Sequence, residues 1–121
     1  MRTLNERATE ILCDLLKLPR NFTTSQDEVQ VKVTGRIGKY NLVSLILYID
    51  INGVRYRDPE IVLGHDTSKG QFIPYHYMND FFRIEECYAQ PTADGLVLED
   101  EFGQYNLANL ANRLLLQIAS K

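Results

Sequence analysis

The residues best equipped for chemistry lie between Arg55 and Glu86. Asp58 and Glu60, in the run Arg57-Asp58-Pro59-Glu60, share one side of an extended segment. Two carboxylates so spaced can hold Mg²⁺ or Mn²⁺, as metal-dependent nucleases and hydrolases do. Such a centre also needs a Lys or His at a defined position, and His65 and Lys69 are the downstream candidates. The competing reading is a solvated strand end in which Asp58 starts a turn before Pro59. It carries more weight, because short motifs of this kind often match by chance.

Other reactive groupings are weaker. His65, Asp66, His76, Asp80 and Cys87 lack the close, regular spacing of a zinc site. Ser44 sits in an apolar strand, no serine lies in an elbow motif, and the dispersed glycines build no phosphate-cradling loop. The sequence therefore assigns no catalytic residue, metal or cofactor, and favours a non-enzyme. The aromatic segment from Phe72 to Phe82 is more informative. Alternation places Tyr75 and Tyr77 on one face and His76 and Met78 on the other. Tyr and Met supply large contact area at low ordering cost, as recognition surfaces require, although strand packing alone also needs such side chains. The expected binding residues are Arg57, Asp58, Glu60, Tyr75, Tyr77, Asn79 and Asp80.

Charge narrows the partner class. The formal net charge is −3 and the 13 basic residues are scattered, which opposes gripping a polyanion by bulk electrostatics. Asp80, Glu85 and Glu86 beside the tyrosines oppose it further. Two distant cysteines, Cys13 and Cys87, do not make a disulfide framework. The N-terminus has no apolar signal core and no apolar run reaches membrane-spanning length, so a cytoplasmic protein with no membrane contact is expected.

The elements that must position these groups can be read from hydrophobic periodicity. Thr3 and Glu6 form a capping-box pattern before a helix with Leu4, Ala8, Ile11, Leu12, Leu15 and Leu16 on one stripe, stopped by Pro19. Asn21 to Asp27 reads as a loop. Val29, Val31 and Val33 then alternate with polar residues as a strand, and Gly35 to Gly38 supplies a turn. Leu42 to Ile49 is an apolar strand leading into Asn52-Gly53, a strong hairpin signal, and pairs with Val54 to Leu63. Pro59 inside that partner implies an edge position or a bulge. After a turn at Asp66–Gly70, Gln71 to Met78 and Phe81 to Gln90 read as two strands joined around Asn79-Asp80. Pro91 to Gly95 breaks the pattern and Leu96 to Phe102 is a short strand or irregular segment. Asn106 is the expected cap of a last helix bearing Leu107, Leu110, Ala111, Leu114, Leu115 and Ile118.

This order predicts a single α+β domain over residues 1–121: a mostly antiparallel sheet of about five strands, flanked by an N-terminal and a C-terminal helix. The central strand is apolar on both faces, through Val43, Leu45, Leu47 and Ile49 on one side and Leu42, Ile46 and Tyr48 on the other. Such a strand is covered on both sides. If both helices share one face, the other is covered by a curled sheet, by the Asp66–Met78 segment, or by a second copy in a homodimer.

From Tyr56 to Tyr88, about a third of the chain, the sequence resembles a family of short bacterial and mobile-element proteins of the domain-of-unknown-function type. The resemblance is carried by Arg57-Asp58-Pro59-Glu60-Ile61-Val62, by Ile73-Pro74-Tyr75-His76-Tyr77-Met78-Asn79-Asp80-Phe81 and by Ile84-Glu85-Glu86-Cys87-Tyr88. It implies a helix–sheet–helix domain encoded near phage or conjugative genes, and no activity. The expected function is a non-enzymatic interaction module, such as a mobile-element accessory or anti-defence protein. Its acidic balance suits a basic or nucleic-acid-handling protein partner. The alternatives are a metal-dependent nuclease or hydrolase using Asp58 and Glu60, and direct nucleic-acid binding through Arg55, Arg57, Tyr75 and Tyr77.

Overall fold

A computed structural model of the chain describes residues 1–17, 22–23 and 28–120, with 22–23 as backbone alone. The alternating valines build β2 (Glu28–Ile37), and the apolar run builds β3 (Tyr40–Ile51). The Asn52-Gly53 turn has both residues at positive φ, 52° and 80°, as a two-residue type I′ hairpin requires, and it returns the chain into β4 (Val54–Asp66). Next come β5 (Gln71–Asn79) and β6 (Ile84–Cys87), each antiparallel to the strand before it. The two-residue β1 (Phe22–Thr23) extends the outer edge of β2. The fold is α+β, an antiparallel sheet in sequence order, with helix α1 (Glu6–Leu16) before it and helix α2 (Glu101–Ala119) after it in the chain.

Both helices lie on the same face of the sheet. Ala8, Ile11 and Leu12 of α1 and Leu107, Ala111, Leu115 and Ile118 of α2 close over Val29, Val43, Leu45, Ile61 and Leu63. Each fully buried aliphatic side chain contributes roughly 1.5–3 kcal/mol relative to an exposed one. Part of the opposite face is covered by a second hairpin of the same chain, β7 (Ala89–Thr92) and β8 (Gly95–Leu98). Its Leu96 and the Tyr40 ring press so closely on Gly64 that a Cβ there would sit 3.2 Å from Leu96 Cδ1. Among the described residues no helix is long and apolar enough to cross a membrane.

Several boundaries differ from expectation for local reasons. Asn5, not Thr3, caps α1, its Oδ1 accepting from the Ala8 N–H at 2.8 Å. α2 begins five residues before Asn106 because Asp100 accepts from the Gly103 N–H at 2.9 Å. The expected Phe81–Gln90 strand is two pieces in two sheets, and Tyr88 is the junction. Its N–H donates to the Tyr75 carbonyl while its own carbonyl accepts from Glu99 and Asp100. The expected stop at Pro19, and Asn21 and residues 24–27 of the expected loop, lie outside the described residues.

Beyond the reach of β6, the outer edge of β5 is satisfied without another strand. Phe72 O accepts from Leu4 N, Tyr75 O from Tyr88 N, and Pro74 O from the side chain of Gln104. Gln104 is buried, and its amide also brackets Arg2: Oε1 accepts from Arg2 N at 2.8 Å and Nε2 donates to Arg2 O at 2.7 Å. Gln104→Leu keeps the volume but removes the partner of three backbone groups, the buried Pro74 carbonyl and the part-buried N–H and carbonyl of Arg2. It is expected to lower unfolding free energy by about 2–3 kcal/mol in urea denaturation, and amide exchange at Leu4 should rise most.

Candidate functional site

The chemistry-bearing residues meet where β4 outruns β5. Pairing between the two strands stops at Glu60 opposite Met78, while β4 pairs with β3 along its whole length. At this point Leu47 of β3 faces both Asp58 and Pro59, a bulge between the pairs Ile46–Glu60 and Tyr48–Arg57. Pro59, after a cis peptide bond, has no N–H to offer either neighbour. The bulge is one of the two settings that the sequence implied for it.

The chain leaving β5 then folds along the unpaired edge of β4. Asp80 N donates to Arg57 O at 2.9 Å, and Arg57 N donates to Asp80 Oδ2 at 3.1 Å, so one residue supplies both halves of the missing rung. The Arg57 side chain closes the same contact with Nε and Nη2 on the two Asp80 oxygens, at 2.8 and 2.9 Å. Its Nη1 donates to Glu60 Oε1 at 2.6 Å. Next to this clasp, Asn79 Nδ2 donates to Asp58 Oδ1 and, at 3.3 Å, to Tyr77 Oη. Asn79 Oδ1 accepts from Phe82 N at 3.1 Å, which closes the turn, and Arg83 completes it in the left-handed region with φ 56°. Arg57-Asp58 on β4 and Asn79-Asp80 at the end of β5 are thus two pairs joined rung to rung.

These contacts set the electrostatics. Bonds from the Arg57 guanidinium hold the Asp80 carboxyl below its ordinary range, and the same bonds hold Arg57 protonated throughout the working pH range. Burial is the main force raising the Tyr75 and Tyr88 phenols, with the Glu86 carboxylate on Tyr88 adding to it. Burial also lifts the Cys87 thiol, so it is not an activated nucleophile.

Of the residues expected to bind, Arg57, Asp58, Glu60, Tyr77, Asn79 and Asp80 converge. Tyr75 does not: a register shift between Val62 and Leu63 leaves it unpaired opposite β4, out of simple alternation with Tyr77, and buried. Tyr77 turns its ring toward α2, where it lines a small hollow of about 140 Å³ with Tyr88, Asn106, Leu107 and Leu110. His65 and Lys69 do not approach the carboxylates. His65 is seven positions along β4 from Asp58, about 23 Å of strand, and stacks on Phe72 with ring centroids 4.0 Å apart. Among the described residues no three His, Cys, Asp or Glu side chains are grouped to hold a metal ion. Arg55, the other cation in the nucleic-acid reading, is paired with Glu28 and lies 4.1 Å over the Tyr48 ring.

What the cluster carries outward is aromatic. Phe81 and Phe82, at the tip of the turn, are 45% and 64% exposed. Phe81 meets Tyr56 edge to face, with centroids 5.4 Å apart, and Phe82 at 5.2 Å. The sequence places these phenylalanines in the aromatic recognition segment and at the start of a strand, but they and Tyr56 are not among the expected binding residues. The signal that could have found them is the Asn79-Asp80 dipeptide, which breaks a strand and exposes the two residues after it. Comparison with family models, curated proteins and solved structures finds no match to the chain.

Asp80 has a depressed folded-state pKa, so its contribution is present above the unfolded value near 3.8 and fades as pH falls through the lower folded value. Both side chains of the clasp are about one-third exposed, which limits the gain. Asp80→Asn is expected to cost about 1–2 kcal/mol at pH 7, with the gap from wild type narrowing in urea melts at pH 3 and below.

Proposed function

We propose that this chain is a non-enzymatic protein-binding module whose contact surface is the aromatic tip of the β5–β6 turn. The observation that carries the reading is the closure of the polar cluster on itself. Arg57 is spent on Asp80 and Glu60, and Asp58 accepts from Asn79, so the groups with chemical potential hold a turn in place. Two exposed phenylalanines stand on that turn, and Tyr56 of β4 packs edge to face against the first of them. Aromatic anchors held by a rigid base are the usual centres of binding energy in protein interfaces. A scaffold that fixes them before contact lowers the ordering cost of association. A cytoplasmic role as an accessory or anti-defence protein of a mobile element is part of this proposal, and it rests on the motif resemblance between Tyr56 and Tyr88.

Because Phe82 is exposed, Phe82→Asp is expected to leave unfolding free energy within about 0.5 kcal/mol of wild type. The same change should weaken binding to a partner isolated from the native host and reconstituted from purified components by about 30-fold or more. Calorimetric titration reads both proteins. Equal affinity for wild type and Phe82→Asp would place the contact elsewhere and remove this reading.

A further inference from the structure

We infer that the Tyr56–Phe81–Phe82 corner takes an arginine- or lysine-bearing apolar segment of a partner protein, an assignment that rests on the binding reading above and specifies its chemistry. The three rings meet edge to face, at 88° for Tyr56 against Phe81 and 84° for Phe81 against Phe82. Perpendicular contacts use the edge of one ring and the face of the next, so successive faces point in different directions. An aromatic face presents negative potential and attracts a guanidinium or ammonium within about 6 Å.

The polar surroundings select the same partner. Asp58, Glu60 and Asp80 stand against one cation, Arg57, whose donors already point inward at Asp80 and Glu60. The exposed strand β6 then adds Glu85 and Glu86, just after Arg83 of the turn. Glu85 meets His76 at 3.1 Å and Glu86 accepts from the Tyr88 hydroxyl at 2.6 Å, and both side chains remain at the surface. A neutral apolar partner covering these rings would offer no counter-charge to the exposed Glu85 and Glu86 carboxylates of β6. A polyanion would be repelled by them. A segment combining Arg or Lys with apolar residues satisfies both the rings and the carboxylates, and its approach is steered by the negative field.

The test uses the intact chain and three synthetic peptides of equal length in which Leu alternates with Arg, Gln or Glu. Ring resonances of Tyr56, Phe81 and Phe82 report binding by NMR titration at low and high salt. The Arg peptide is expected to shift all three rings and to bind at least tenfold more tightly than the Gln peptide. Its affinity should fall several-fold on raising salt, about tenfold in Phe82→Ser, and about threefold in the Glu85→Gln/Glu86→Gln double variant. The Glu peptide should leave the rings unmoved. Equal affinity for the Arg and Gln peptides would overturn the cationic assignment while leaving an apolar protein-binding tip intact. Shifts confined to other residues, or no binding of the Arg peptide, would overturn the assignment as well. The reading of the tip as a protein contact is judged separately, by the purified partner and Phe82→Asp.

Discussion

A strand that outruns its neighbour leaves backbone donors and acceptors with no partner, and such groups are costly wherever side chains shield them from water. β4 meets this condition from Arg57 back toward the Asn52-Gly53 turn, because β5 has ended at Asn79 while β3 continues alongside. Asp80 resolves it by presenting a backbone N–H and a carboxylate to Arg57 in place of a further strand residue. The guanidinium then doubles the contact from the side chain. Charge-assisted, two-pronged contacts of this kind carry both energy and direction, so the turn is set at one angle to the sheet.

The exposure of Phe81 and Phe82 is a consequence of that angle. Asn79 and Asp80 are both drawn inward, toward Asp58 and Arg57, and the two residues after them are turned outward. Large apolar side chains displayed this way oppose the tendency of such groups to leave water, and they persist because the polar rungs beneath are numerous. Exposed aromatics on a fixed base are suited to contact with another molecule. The carboxylates that build the base outnumber the guanidinium that stands among them.

Much of the architecture was legible because it is locally encoded. Alternation in Val29–Val33, the apolar run from Leu42, the Asn52-Gly53 turn and the two helical stripes depend on neighbours in sequence, and each reappears in the structure. The meeting of Arg57, Asp58, Glu60, Asn79 and Asp80 was legible as a concentration of groups, not as a geometry. Their partnership spans more than twenty positions and depends on a bulge at Asp58-Pro59 that the proline signals but does not locate in register. Tyr75 was placed on one face with Tyr77, and a second bulge, opposite Val62–Leu63, breaks the alternation on which that inference relied. The β7–β8 hairpin was hidden for a similar reason. Tyr88 switches sheets through backbone bonds to Tyr75, Glu99 and Asp100, which leave no mark on side-chain pattern.

The fixed angle of the turn depends on the Arg57–Asp80 clasp acting as one coupled structural unit. A double-mutant cycle on unfolding free energy, with Arg57→Met, Asp80→Asn and the pair together, measures that coupling most directly. The clasp predicts an interaction free energy of about 1–3 kcal/mol, the double variant losing less than the two single losses combined. Additivity within about 0.5 kcal/mol would show that the two residues stabilise the protein independently, and would contradict the brace.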